Sequence, residues 1–296
     1  MNLIKINASL YCIKGQRLIP DNIDFNSLDP LSKTYLISDC NTYILRDNNK
    51  QNLSEDLAIV DPGFLSTKAM PNRNKFNFLT SKGFDLKNIS KVVATHAHGD
   101  HMSIFPELKK KLSNNVNLYL HRNASSLMSQ QNKNVFIVGK SEYYKTLSEI
   151  YRIENFPNLY ADILLREDDI IKIGNSEWKV IETPGHSSDG VCLYSKDFKA
   201  LITGDTIYSA KYNHESLTWD DVDTSQDIKQ LKRAYHFGRT DIFSASKEQL
   251  KNSIEKILDL DFNMVLPGHG AVLLERGKEV VEGLYRKVFE SSHLKN

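Results

Sequence analysis

Thr95-His96-Ala97-His98-Gly99-Asp100-His101 decides how this chain is read. It packs the imidazoles of His96, His98 and His101 and the carboxylate of Asp100 into one short stretch. His96 and His98 are two positions apart, so in an extended segment both side chains share a face. Gly99 stands where the chain must turn to bring Asp100 and His101 round to them. Neutral imidazole nitrogen is a ligand for zinc, iron and related ions, and a carboxylate adds compensating charge. Alone, the stretch says only that a metal can bind.

Working outward, residues 89–95 read as a buried strand with Val92, Val93 and Ala94 at its centre, and the cluster begins where that strand ends. The same arrangement recurs. Leu57-Ala58-Ile59-Val60 is an apolar run stopped by the turn residues Asp61-Pro62-Gly63. A strand over 178–181 precedes Pro184-Gly185-His186, one over 200–203 leads into Gly204-Asp205-Thr206, and Met264-Val265-Leu266 leads into Pro267-Gly268-His269. Ligands on loops at strand ends, held by a rigid sheet, are what a preorganised site requires. His96, His98, Asp100, His101, His186, Asp205 and His269 therefore form a candidate ligand set for two adjacent divalent ions. Ions about 3.5–4 Å apart drive hydrolysis, whereas a closed single site usually holds a fold together.

Other elements are read from periodicity. Residues 3–13 form a strand or strand pair, and 34–45 two more with a turn at 38–41. A helix is expected over 72–82 and another over 104–112, with Pro106 tolerated in its first turn. A short strand follows at 117–120, and 169–173 and 178–181 make a hairpin around Gly174-Asn175. Strands at 191–194 and 200–203 flank a polar turn. Late helices cover 247–258, with Leu250, Ile254 and Leu258 on one face, and 278–289, with Val281, Leu284 and Val288 on another. The strand-then-helix style appears in both halves, which suggests two similar layers within a single domain over 1–296. Over 122–160 the pattern loosens into either helices packed on the core or a lid or insertion over the site.

Bulk properties narrow the classes. The 296 residues are enough for a substantial core, and 40% hydrophobic with 25% charged residues is ordinary for a soluble globular chain. A net charge of +1 gives no global basic field for a nucleic-acid backbone. The best local cluster, Lys109-Lys110-Lys111, reads on a helix as a solvated face. Cys12, Cys40 and Cys192 are odd in number and widely spaced, as expected for reduced, buried thiols of a cytoplasmic protein. No stretch reaches the ~20 apolar residues of a membrane span, so no membrane partner is expected. The oligomeric state stays open, a dimer included. His121, His214, His236 and His293 lie outside the motifs and read as packing or surface residues.

The pattern His-x-His-x-Asp-His at 96–101, followed by His186, Asp205 and His269 in that order, resembles the metallo-β-lactamase superfamily over nearly the whole chain. The resemblance implies an α/β fold, a four-layer αβ/βα sandwich with the site at one edge of two sheets. It implies His96, His98 and His186 on a first ion, Asp100, His101 and His269 on a second, and Asp205 bridging. The cofactor expected is two divalent ions, zinc first, with iron or manganese as alternatives. A bound cation lowers the pKa of its water from about 16 to about 7, so a metal-bound hydroxide is the expected nucleophile. Asp100 would orient that water and pass on a proton. Tyr208, just past Asp205, is a second catalytic candidate, since the family's lactonases carry a tyrosine in a similar place; the alternative is a packed aromatic.

Thr183-Pro184-Gly185-His186-Ser187 and Thr203-Gly204-Asp205-Thr206 look most like the glyoxalase II and lactonase-like hydrolases of thioesters, esters and lactones. The expected substrate is a small molecule of that kind. Those enzymes carry small residues and paired glycines after the histidine cluster, where this chain reads Met102-Ser103-Ile104-Phe105. No basic cluster for glutathione is evident, which argues against glyoxalase II itself, and an exported antibiotic-destroying β-lactamase is also disfavoured. The competing readings are a phosphodiesterase or ribonuclease on the same fold, a persulfide dioxygenase with a single iron, and a binding protein without turnover.

Overall fold

The computed structural model describes residues 1–15, 39–47, 56–64, 75–112, 116–124, 161–209, 211–213, 218–220, 228–238 and 246–290. The first half contains β1 (Leu3–Lys5), β2 (Leu10–Ile13), β3 (Thr42–Arg46), β4 (Leu57–Val60), α1 (Lys75–Ser81), β5 (Ile89–Val93), α2 (Gly99–Met102), α3 (Phe105–Lys111), β6 (Asn117–His121) and β7 (Ile163–Leu165). The second contains β8 (Ile170–Ile173), β9 (Ser176–Glu182), β10 (Val191–Ser195), β11 (Ala200–Gly204), β12 (Ile207–Ser209), β13 (Lys211–Asn213) and β14 (Thr218–Asp220). It continues with α4 (Ile228–Ala234), β15 (Tyr235–Phe237), α5 (Lys247–Leu258), β16 (Met264–Pro267) and α6 (Gly277–Tyr285).

Among the described residues, β1 to β7 lie in sequence order in a seven-stranded sheet, and a five-stranded sheet runs β16-β11-β10-β9-β8. The period-two alternation of strands divides the core into three zones. Tyr43 and Leu45 of β3 meet Trp178 and Val180 of β9 and Val191 and Leu193 of β10 between the two sheets. Ile44, Leu118 and Leu120 face the other way, onto Phe76 and Leu79 of α1 and Phe105 and Leu108 of α3. Cys192, Tyr194 and Val265 face Leu250 and Ile254 of α5 and Val281 and Leu284 of α6. Each fully buried aliphatic or aromatic side chain contributes about 1.5–3 kcal/mol. Two sheets face to face, each backed by helices, give the expected four-layer αβ/βα sandwich.

The layering also sets where loops emerge. β4 and β5 are parallel, as are β11 and β16, so residues following these strands leave each sheet on a common side. The rims are tied across the sheets. Val191 N–H donates to Thr95 O (2.8 Å), Asn41 Nδ2 donates to Pro267 O and Gly270 O (2.8 and 2.9 Å), and the Tyr43 hydroxyl donates to Pro267 O (2.7 Å).

Several expectations are refined. The strand at 89–95 ends at Val93, because Thr95 leaves the ladder to bond Asp61. Pro106 does sit in the first turn of α3. The turn after His98 is the start of α2, so Gly99 is helical; left-handed freedom is used instead at Gly204 (φ 47), where a Cβ would lie 2.3 Å from Thr95 Oγ1. Met102, Ser103, Ile104 and Phe105 are all buried, and Met102, Ile104 and Phe105 pack between the helices and the first sheet. The departure from the glyoxalase-like pattern is thus a change of core packing. All three cysteines are buried and unpaired. Among the described residues no helix is long and apolar enough to cross a membrane. The first of the two strands expected over 34–45, residues 125–160 of the lid or insertion expected over 122–160, His214 and His293 lie outside the described residues.

Candidate metal centre

The seven candidate ligands gather at the rim where strand ends of both sheets meet. Their ligand atoms fall into two groups, each within 4.8 Å: His96, His98, His186 and Asp205, and Asp100, His101 and His269. In the first, His96 Nε2 and His186 Nε2 lie 2.8 and 3.2 Å from His98 Nδ1, and His186 Nε2 is 3.6 Å from Asp205 Oδ2. In the second, His269 Nε2 is 3.1 Å from Asp100 Oδ2 and His101 Nε2 is 3.9 Å from it. Ligands at about 2.1 Å around a tetrahedral ion stand roughly 3.4 Å apart. These spacings suit such an ion in each group.

Asp205 spans the two. Its Oδ2 is 3.6 Å from both His186 Nε2 and His269 Nε2, and its Oδ1 is 3.4 Å from His101 Nε2. Asp205 Oδ1 and His101 Nε2 are buried without a hydrogen-bond partner. Buried polar atoms left unpaired cost about 1–3 kcal/mol each, and a cation between them would satisfy both. The donor set of imidazoles and carboxylates therefore fits divalent metal, and the cluster can bind metal ions.

Supporting groups fix the imidazoles. Asp61, which follows β4, is fully buried and takes positive φ (52°), a region Asp tolerates better than most residues. His101 Nδ1 donates to its Oδ2 (2.9 Å), while Thr95 N–H donates to Oδ1 (2.8 Å) and Thr95 Oγ1 to Oδ2 (2.9 Å). Because the Thr95 hydroxyl proton goes to a carboxylate, His96 Nδ1, 3.1 Å from that hydroxyl, must be the donor. Nε2 of His96 is left with its lone pair facing the site. Asp61 thus orients His101 directly and His96 through Thr95, the carboxylate–histidine arrangement that raises ligand basicity. On the other side, buried Asp189 accepts Ala97 N–H (2.7 Å), pinning the residue between His96 and His98.

Electrostatics follow the same division. Burial, then the neighbouring His101 and His98, drive His96 well below the usual imidazole pKa. Burial and then His186 bring His98 down to about 3. Both are held neutral, the form that ligates. For His101 and His269, burial pulls the same way but is outweighed, by Asp205 and Asp61 for the former and by Asp205 and Asp100 for the latter, so both are raised. Burial pushes Asp205 up, but His269 and His101 hold it well below the carboxylate range, and burial of Asp100 is likewise outweighed by His101 and His269.

Tyr208 is half-buried on β12, paired in register with His236, its ring 5.7 Å from that imidazole. The following residue, Ser209, takes His269 O onto its N–H (3.0 Å). His121 pairs with Glu182 (2.8 Å), and neither it nor His236 belongs to a ligand group. Sequence reasoning missed Asp61 and Asp189. Asp61 carried a signal: it stands directly after the apolar strand β4, as Asp205 stands directly after β11. Asp189 carried none, since a single Asp among Ser188 and Gly190 looks like any polar loop.

Residues 37–269 match the metallo-beta-lactamase superfamily, and the chain belongs to it. The chain is similar to a probable metallo-hydrolase of Bacillus subtilis, 28% identical over 60% of this chain and 67% of that protein. It is 30% identical to the human acyl-coenzyme A thioesterase MBLAC2 over 39% of this chain, and spans only 40% of that relative's length. A hydroxyacylglutathione hydrolase of Rhodopseudomonas palustris is 29% identical over 44% of this chain and 38% of that protein. Among solved structures, a metallo-beta-lactamase family protein of Thermus thermophilus superposes with a TM-score of 0.59 at 15% identity, over 98% of this chain and 82% of that one. TTHA1623, solved in a di-iron-bound form, gives 0.52 at 19% identity over 88% and 96%, a likeness of fold. Family and site together define a metal-dependent hydrolase.

Proposed function

We propose that this chain hydrolyses a thioester, ester or lactone of a small carboxylic substrate at a pair of divalent ions. His96, His98 and His186 would hold one ion, Asp100, His101 and His269 the other, and Asp205 both. The observation that carries this is the placement of the Asp205 carboxylate between the three imidazoles of His96, His98 and His186 and the group of Asp100, His101 and His269. When bound, such ions supply Lewis acidity and a water that ionises near neutral pH. Zinc suits these donors, and iron or manganese would also fit.

The chain's own residues do the rest. Asp100, partly open to solvent beside His269, accepts a hydrogen bond from the attacking water and then holds a proton. That proton passes to the sulfur or oxygen as its bond to the acyl carbon breaks. Tyr208 donates its hydroxyl to the oxyanion that develops on the carbonyl oxygen. Tyr208→Phe is expected to lower turnover about 100-fold while metal content is unchanged; full turnover would remove the role.

Two relatives named as a thioesterase and a hydroxyacylglutathione hydrolase support a thioester. Lys109 is engaged by Asp162 and Lys111 by Asn77, which supports a small molecule over a nucleic acid. Three buried, unpaired thiols suit a reducing cytoplasm. The test is a panel of an acyl thioester, a lactone, an aryl phosphodiester and RNA. The thioester or lactone should turn over fastest; a preference for the phosphodiester or RNA would overturn the assignment.

A further inference from the structure

Behind the metal centre lies a buried cation that the chemistry above does not use. Lys75, the first residue of α1, is 4% exposed. Its Nζ reaches Asp39 Oδ2 (2.9 Å), Cys40 O (2.8 Å) and Thr42 Oγ1 (2.7 Å). The contacts continue towards the site. Thr42 Oγ1 donates to Asp61 O (2.6 Å), and the other Asp39 oxygen accepts Phe64 N–H (3.0 Å). The 61–64 segment is thereby held at both ends. Gly63, at φ 105°, packs so closely that a Cβ there would lie 2.6 Å from Lys75 Nζ and 2.7 Å from Asp39 Oδ1. From its other side the segment grips α2: Gly63 N–H donates to His101 O (3.0 Å) and Ile104 N–H to Gly63 O (3.2 Å).

We infer that Lys75 and Asp39 are a positioning pair for the second metal position. They fix the 61–64 segment, which orients the His101 side chain through Asp61 and its backbone through Gly63. A buried ion pair is a weak source of stability, because desolvation offsets its attraction, so replacing both partners need not unfold the chain. Its use here is geometric. The first position is tied to the segment less directly, through Thr95 and His96, whereas His101 Nδ1 bonds Asp61 itself. Supporting residues of this kind change metal affinity about 10–100-fold.

This inference rests on the two-ion reading, and one experiment separates them. Cobalt(II) is titrated into metal-free wild type, Thr42→Val, and Lys75→Met combined with Asp39→Asn, following calorimetric stoichiometry and the visible spectrum. Circular dichroism and the unfolding midpoint report folding. Thr42→Val preserves shape and the ion pair while cutting the link to Asp61, so it decides the matter if the double variant does not fold. Wild type should take two equivalents. In the variants the second should weaken about tenfold or more with an altered spectrum, while the first is retained. Two equivalents of wild-type affinity in folded variants, or equal weakening of both, would overturn the positioning role. A single equivalent in wild type would overturn the two-ion reading and this inference with it.

Discussion

His98 and His101 are near neighbours in sequence but stand in opposite surroundings. His98 is brought down to about 3 by burial and by His186, whereas His101 is raised because Asp205 and Asp61 outweigh its burial. The first group is three imidazoles with the shared Asp205; the second sets two imidazoles against Asp100 and Asp205, with Asp61 behind. In the first, His96 and His98 are held neutral. In the second, the carboxylates of Asp205, Asp61 and Asp100 outweigh burial and raise the His101 and His269 pKa values, so negative charge dominates there. One position is prepared by shape and the other by charge, with Asp205 common to both.

Removing the shared carboxylate should have the largest effect. Asp205→Ala is expected to cost more than about 100-fold in turnover, beyond the ~10–100-fold of a supporting residue, and to reduce bound metal. Turnover near wild type would break the comparison at its centre. Asp61→Asn comes next. Asn tolerates the positive φ, but its amide oxygen cannot serve His101 and both Thr95 donors as a carboxylate does. The second position should weaken about tenfold or more by metal titration, more than the first.

Asp189 sharpens the other half. Burial raises its pKa against the hydrogen bond from Ala97 N–H, so its value lies in accepting that N–H more than in charge. Asp189→Asn should therefore be mild. Asp189→Ala strands a buried donor, a loss of about 1–3 kcal/mol, and should weaken the first position selectively. Equal affinities for the two variants would contradict this.

The smallest effect lies away from the site. Burial nudges Asp162 up, but Lys109 and Leu118 N–H outweigh it and leave its pKa lowered. A lowered carboxylate stabilises the fold above its unfolded pKa, and the contribution is lost as pH falls through the folded value. Asp162→Asn should lower stability at neutral pH by about 1 kcal/mol or less, and denaturation curves of the two proteins should converge in acid.

The candidate ligands were legible in sequence because each lies past an apolar run that ends in a loop; their division into two groups was implied by the family resemblance, and the structure gathers the same residues in two groups. The layers were legible because alternation in β3, β9 and β10 and helical spacing in α5 and α6 are local patterns. What was not legible depends on contacts between distant residues. Asp61 looked like a strand-stopping turn, and nothing in Lys75 marks it as buried against Asp39 and Thr42. Met102 to Phe105 read as a departure from the glyoxalase II pattern, and Met102, Ile104 and Phe105 pack into the core against the first sheet. Gly99 read as a turn residue, while Gly204 is held to glycine by its positive φ and by the approach of Thr95, neither of which shows in the sequence.

The most direct test of two ions joined by Asp205 is elemental analysis of protein saturated with zinc and then freed of loosely bound metal, in wild type and Asp205→Ala side by side. Two zinc ions per wild-type chain, with fewer in the variant, is the predicted result. One tightly held ion per wild-type chain at saturation would contradict the account.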